Sequence, residues 1–264
     1  MSTTPPAVRR QQILERIQRD GGVSVAELAR DLTVSSITVH RDLEHLSREG
    51  LVERVHGGAR ALAAAAPASA IPPTGWEQRA AVSRGAKATI ATHAAREISS
   101  GSTIFLDSSS SCLALARQLV SEPATDLTLV TNSPAIAYEL VDERILVIVT
   151  PGELDQHMRL LAGRWTTDFL AGLNFELAFT SCAGLTLDAG LTTSRRALAD
   201  VINVARANAA RTIGLIDSNK FGRASLLTIA RAQDLDAIVT DENLDDETVG
   251  EYRAAGVQLE IAKT

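Results

Sequence analysis

Apolar residues recur at helical spacing in "VRRQQILERIQRD", where Val8, Ile13, Leu14 and Ile17 share one face. Gly21-Gly22 ends that segment. In "SVAELARDL", Ser24 followed by Glu27 forms a capping box and predicts a short helix from about Val25, with Leu28, Ala29 and Leu32 inward. "TVSS" reads as a turn. Ser35 then caps a third helix that reaches about Glu49, with Gly50 as its C-terminal cap. Around that helix Val39, Leu43 and Leu46 fall on one side. Ile37, Thr38, Arg41, Glu44 and Arg48 fall on the other, and His40 lies at the flank. "LVERVHGGA" alternates like a strand and breaks at Gly57-Gly58.

Helix, short helix, tight turn, third helix and strand pair together outline an α+β winged helix-turn-helix over residues 1–60. The outer face of the third helix carries hydroxyls and arginines suited to phosphates and base edges, and Ile37 could meet a thymine methyl. A solvated three-helix bundle with arginines on its surface would show much of the same pattern. The wing tips the balance, because it adds Arg54, His56 and two glycines that permit a tight turn.

Residues 61–75, "ALAAAAPASAIPPTG", break the pattern and read as an interdomain linker of alanine and proline. From Trp76 to residue 264 the periodicity changes. "TIFLDSSSS", "LTLVTNS", "ILVIVTPG", "FELAFTSCAG", "RTIGLIDSNKFG", "DAIVTDE" and "VQLEIA" read as strands, several ending in polar loops. Helical "CLALARQLV", "PAIAYELV" and "RALADVINVARANAA" lie between them, and Pro134 suits a first helical turn. Continuous aliphatic strands alternating with helices predict an α/β, Rossmann-like, mostly parallel sheet covered on both faces. Ligands of such sheets bind beyond the carboxyl ends of the strands. The polar loops there supply Asp107, Ser108 and Ser110, then Thr131, Asn132 and Ser133, then Asp217 and Lys220. Each is also readable as an ordinary polar turn. "LDAGLTTSRR" reads as a further loop, whose Arg195 and Arg196 either attract an anion or are simply solvated.

Composition changes this picture little, but charge sharpens it. The 264 residues carry a net charge of -6, are 45% hydrophobic and are only 3% aromatic, so aliphatic side chains must build the core. The first 60 residues hold nine arginines against eight acids, so the negative charge sits in the remainder. Three of the five histidines, His40, His45 and His56, fall within the first 60 residues. This asymmetry points to an anion-binding N-terminal module. No apolar run approaches the roughly 20 residues that span a bilayer, and the N-terminus lacks the apolar core of a secretory signal. Two cysteines, Cys112 and Cys182, make no disulfide framework and show no metal-ligand spacing. A cytoplasmic protein with no cofactor, no metal and no membrane partner is expected.

The residues resemble the DeoR family of bacterial transcription regulators. "SSITVHRDLEHLSREGLVERVHGGA" is similar to the family pattern S-x-x-T-I-R-R-D-L-x-x-L-x-x-x-G followed by R-x-H-G-G-A, matching at Ser35, Thr38, Arg41, Asp42, Leu43, Leu46, Gly50, Arg54, His56, Gly57, Gly58 and Ala59. A second region, about residues 77–241, includes Arg79, Lys87, Ile90 and Ala91, then "TIFLDS", "LVTNS", "GLTT" and "DSNKFG". The resemblance implies a repressor of a carbohydrate catabolic operon, binding double-stranded operator DNA as a homodimer or tetramer. It implies a C-terminal domain related in fold to ribose-5-phosphate isomerase and CoA transferases, and a phosphorylated sugar as effector. DNA contacts would come from Ser35, Ser36, Thr38, His40, Arg41, Arg54, His56 and Gly57. The effector would meet Arg79, Lys87, Asp107, Ser108, Ser110, Thr131, Asn132, Ser133, Asp217 and Lys220. The chain departs from the family pattern at His40, Ser109, Pro151-Gly152, Ala183 and Leu198. His40 in place of an arginine suggests a contact that is weaker, or made only when the ring is protonated. The alternative is a sugar-phosphate isomerase with an appended DNA-binding domain. It lacks an acid at 198, and Asp107 and Asp217 read as structural, so no enzymatic turnover is expected. A third possibility is an interaction protein whose helix-turn-helix meets another protein.

Overall fold

The computed structural model describes residues 6–20, 22–48, 51–55, 57–60, 76–121 and 126–263. The chain forms two compact units, Met1–Pro72 and Pro73–Thr264. The proposed linker, 61–75, lies outside the described residues, as do His56 and the Gly50 cap.

The first unit runs α1 (Pro6–Asp20), β1 (Gly22–Ser24), α2 (Val25–Asp31), α3 (Ser36–Arg48), β2 (Glu53–Val55) and β3 (Gly58–Arg60). The expected capping box is present at Ser24 and Glu27. Ile13 and Ile17 of α1 meet Leu28 of α2 and Val39, Leu43 and Leu46 of α3 in one apolar core, as the spacing requires. An ion pair reinforces that core: Arg9 Nε lies 2.6 Å from Asp42 Oδ2, with both side chains about 8% exposed, so α1 is tied to α3. The wing has one strand more than expected. β3 pairs antiparallel with both β2 and β1. Gly57 adopts φ +83° in the hairpin turn. A Cβ on Gly58 would lie 2.2 Å from the Val23 carbonyl oxygen, so the close backbone approach that needs this glycine is to β1.

The second unit starts with α4 (Trp76–Ala81) and α5 (Arg84–Ala95), followed by β4 (Thr103–Leu106), α6 (Ser110–Ser121), β5 (Leu127–Thr131), α7 (Pro134–Glu139) and β6 (Ile145–Val149). Then come a hairpin of β7 (Glu153–Asp155) and β8 (Leu160–Ala162), α8 (Arg164–Ala171), β9 (Phe175–Thr180), β10 (Gly184–Thr186), β11 (Gly190–Thr193), α9 (Arg196–Ala207), β12 (Ala209–Leu215), β13 (Leu227–Ala230), β14 (Ala237–Asp241), α10 (Asp246–Ala254) and β15 (Leu259–Ala262). Seven strands form one sheet in the order β15-β14-β12-β9-β4-β5-β6, and every pairing is parallel. The chain winds from β4 outward to β6, then returns to the other side of β4 with β9. The switch point of this Rossmann-like sheet therefore lies between β4 and β9. Helices α4 to α7 contribute to the core on one face. On the other face, α8 and α9 pack with the sheet, and the small antiparallel sheet β10-β11-β13 joins α9 and α10 in a further cluster.

One loop expected from the sequence is a strand instead, and one expected strand is shorter. "LDAGLTTSRR" contributes β11, reached through a turn at Gly190, whose φ is +70°. A Cβ there would lie 2.1 Å from the Ala230 carbonyl oxygen, so only glycine lets β11 meet β13. "FELAFTSCAG" is a strand only to Thr180, because Thr180 and Ser181 turn their polar groups to Asp107 and to the end of β12.

Candidate functional site

Helix α3 presents Ser35, Ser36, Ile37, His40 and Arg41 as exposed residues, whereas Val39 and Leu43 are fully buried. Ile37 is 64% exposed, a large apolar side chain with no place in the core. Ser35 Oγ accepts from the Thr38 N–H at 3.2 Å and meets Thr38 Oγ1 at 2.9 Å, so this pair caps the helix. Arg54 of β2 reaches α3, where it donates to the His40 carbonyl oxygen at 3.3 Å and to His40 Nδ1 at 3.1 Å. Arg54 thus lies against the Nδ1 edge of the His40 ring. Gly57 is exposed at the wing turn.

In the second unit the polar loops gather at the carboxyl ends of β4, β5, β9 and β12. Asp107 is 1% exposed and fully engaged. Oδ1 accepts from the Ser109 N–H at 2.8 Å, and Oδ2 accepts from Thr180 Oγ1 at 2.8 Å and the Ser181 N–H at 2.9 Å. It clamps the switch point. Ser108 is buried beside it and Ser110 opens α6. Ser109 Oγ accepts from the Cys112 N–H, so the serine that replaces the family's glycine caps α6. Thr131 Oγ1 accepts from the Ser133 N–H, and Ser133 caps α7 through the Ile136 N–H. Asn132 Nδ2 donates to the Leu161 carbonyl oxygen in the β7–β8 hairpin, which sequence reasoning missed because its strands are three residues long.

Other groups are left unsatisfied. Among the described residues, neither carboxylate oxygen of Asp217 has a hydrogen-bond partner, although the residue is 1% exposed. Its structural reading fails, since it gives no side-chain cap to the turn Ser218–Lys220. Arg79 Nε, Asn132 Oδ1 and Thr150 Oγ1 are buried and likewise unpartnered there. Arg79 donates through its guanidinium to the Met158 carbonyl oxygen of the hairpin. Its pKa is held below the usual range by burial and by Arg195, against the pull of Asp107 and Asp155. Lys87 is 4% exposed, and its Nζ donates to the Arg79 and Val82 carbonyl oxygens, each at 2.6 Å. Burial lowers it to about 8; Asp217 opposes this, while Lys220 and Arg79 add to it. Arg79, Lys87, Asp217 and Lys220 thus share one electrostatic environment. Arg195 joins them, whereas Arg196 pairs with Asp200 at 2.9 Å and is exposed. Leu198 packs against apolar clusters. Burial raises the Cys112 thiol well above its ordinary value, and Cys182 to about 12.

A site of this kind combines cations with carboxylate and amide acceptors beside the start of α6. It suits a molecule with an anionic group at one end and hydroxyls at the other. Among the described residues no group of three or more His, Cys, Asp or Glu is placed to hold a metal ion. No helix among them is long and apolar enough to cross a membrane.

Comparison with known proteins agrees with both units. Residues 9–64 match the family model of the DeoR-like helix-turn-helix domain, and residues 83–242 match that of the DeoR C terminal sensor domain. The HTH-type transcriptional regulator GlpR of Haloferax volcanii is 32% identical over 260 residues, which cover 96% of this chain and 97% of the relative. GolR of Listeria innocua is 29% identical over 98% of this chain and 99% of its own length. The glycerol-3-phosphate regulon repressor of Escherichia coli is 30% identical over 88% of this chain and 90% of its own. Ribose 5-phosphate isomerase A of Methanocaldococcus jannaschii aligns over 52% of this chain and 54% of its own, at 15% identity and a TM-score of 0.39. With both units matched in order and relatives spanning nearly its whole length, the chain belongs to the DeoR family of DNA-binding transcriptional regulators.

Proposed function

We propose that the chain represses a carbohydrate catabolic operon. It binds double-stranded operator DNA as a homodimer or tetramer in the cytoplasm and releases it when a phosphorylated sugar or related metabolite fills the pocket. The observation that carries this reading is the unpartnered Asp217 carboxylate in a cationic setting with Arg79, Lys87 and Lys220. A buried carboxylate without hydrogen bonds is costly, and ligand hydroxyls are the groups that relieve it. Arg79, Lys220 and Arg195 then receive the phosphate. Asp107, Ser108, Ser110, Thr131 and Ser133 shape the loops around it, and Asn132 offers Oδ1 as a second acceptor. On the DNA side, Ser36, Ile37, His40 and Arg41 meet the major groove, oriented by the Ser35–Thr38 cap. Arg54, His56 and Gly57 complete the contact from the wing. Repression is supported by the relative named as the glycerol-3-phosphate regulon repressor.

A thermal-shift screen of the full chain against phosphorylated sugars and their unphosphorylated partners tests the pocket. At 100 times its Kd a ligand stabilises the fold by about 2.7 kcal/mol. Stabilisation by phosphorylated compounds alone is expected. Stabilisation by neither set would remove the effector reading. The isomerase alternative gains one point from the structure, since Asp217 is an acid free to act as a base. Isomer exchange by the purified protein would establish it over the regulator.

A further inference from the structure

Lys87 occupies an unusual position for a residue that is to touch an effector. Two of its three N–H groups are already committed to the carbonyl oxygens of Arg79 and Val82. Arg79 lies within α4 and Val82 directly follows it, so these are the carbonyls left open by the end of the helix. A cation there satisfies them and favours the negative end of the helix. The ammonium of α5 therefore holds α4 in place. Helix α4 in turn carries Arg79, whose Nε is buried and unpartnered, and Trp76, which stacks under the Arg159 guanidinium at 5.1 Å. Asp217 favours the charged form of Lys87, whereas Lys220 and Arg79 disfavour it. Helix α4 is also the first described element of the second unit, directly after the connecting residues 61–75.

We infer that Lys87 is a positioning residue: it seats α4 so that Arg79 meets the ligand, and it passes occupancy of the pocket at Asp217 to α4. The inference rests on the effector reading of the pocket and deepens it. When ligand groups engage Asp217, the carboxylate no longer acts on Lys87 alone. The balance between the lysine's hold on the carbonyls and its attraction to Asp217 changes, and α4 responds.

The chain holds two tryptophans, and the other, Trp165, is 71% exposed on α8. In a Trp165→Phe background Trp76 alone reports on α4. Without ligand, Lys87→Met should shift Trp76 emission to the red and raise its quenching by acrylamide. Lys87→Gln, which keeps an N–H donor, should restore part of the wild-type spectrum. Unchanged emission and quenching in Lys87→Met would overturn the inference, whatever the ligand. Circular dichroism and gel filtration of each variant show whether the fold is kept. If Lys87→Met unfolds, the comparison of Lys87→Gln with wild type decides by the same readout. The second arm adds sn-glycerol 3-phosphate and inorganic phosphate to the full chain. A compound that binds by calorimetry should alter Trp76 quenching in the Trp165→Phe protein, and this response should vanish in the Lys87→Gln double variant while heat of binding remains. An equal response with and without Lys87 contradicts the inference but leaves the pocket intact. Heat of binding from neither compound, joined to no hit in the thermal screen, contradicts the pocket reading itself.

Discussion

At the scale of the residue, two side chains separate structure from recognition. Asp107 and Asp217 are both aspartates at strand ends and both 1% exposed, but three donors satisfy the first and none among the described residues satisfies the second. Asp217→Asn should therefore keep the fold, since its carboxylate oxygens make no hydrogen bond among the described residues, and should abolish ligand-induced stabilisation. A retained thermal shift with ligand would show that Asp217 is not an effector contact. On the other unit, Arg41 is exposed on α3 without a role in the core. Arg41→Ala should weaken binding to all DNA sequences and lower the salt slope by about 1 if the guanidinium meets a phosphate. Anisotropy titrations at several salt concentrations measure that slope, and a change confined to one base position would make it a base contact instead.

At the scale of the element, the sequence exposed what is periodic and hid what is short. Helices α1 to α3 and the large parallel sheet were readable because Ile13, Ile17, Val39, Leu43 and the aliphatic strands obey the 3.6-residue and buried-strand patterns. The hairpin β7–β8 and the small sheet β10-β11-β13 were not, because strands of three or four residues carry no period and owe their pairing to distant partners. The site was legible as residue types at strand ends. Which carboxylate is engaged depends on Thr180 and Ser181, which lie far from Asp107 in sequence and next to it in the sheet. The same holds for Asp42, readable as part of a motif, whose work is the buried pair with Arg9. Asp42→Ala should cost about 3 kcal/mol of stability by removing one partner of a buried ion pair, measurable by denaturant unfolding of the N-terminal transition. A loss below about 0.5 kcal/mol would mean that the pair behaves as a surface one. Gly190→Val should destabilise the second unit, since its φ of +70° and the 2.1 Å approach to the Ala230 carbonyl oxygen leave no space for a branched side chain. Unaltered unfolding would contradict the close pairing of β11 and β13.

At the scale of the whole molecule, a sensing unit and a DNA-binding unit share one chain, and a buried lysine adds a pH signature. Lys87 has a folded pKa of about 8, below its ordinary 10.5. The unfolded chain binds the extra proton between those values, so stability should rise as pH climbs from about 8 toward 10.5 and be flat in this respect below 8. Lys87→Met should remove that rise in denaturant unfolding followed across the window, and an identical slope in both proteins would assign it to other groups. The central claim is that one molecule joins operator binding to occupancy of the Asp217 pocket. Its most direct measurement is the anisotropy of labelled DNA from upstream of the chain's own gene, bound to the 264-residue chain and titrated with phosphorylated sugars and their unphosphorylated partners. The account predicts specific binding with a steep salt dependence, and release by a phosphorylated compound from the wild type but not from Asp217→Asn. Equal release from both proteins, or specific binding that no phosphorylated compound disturbs, would contradict it.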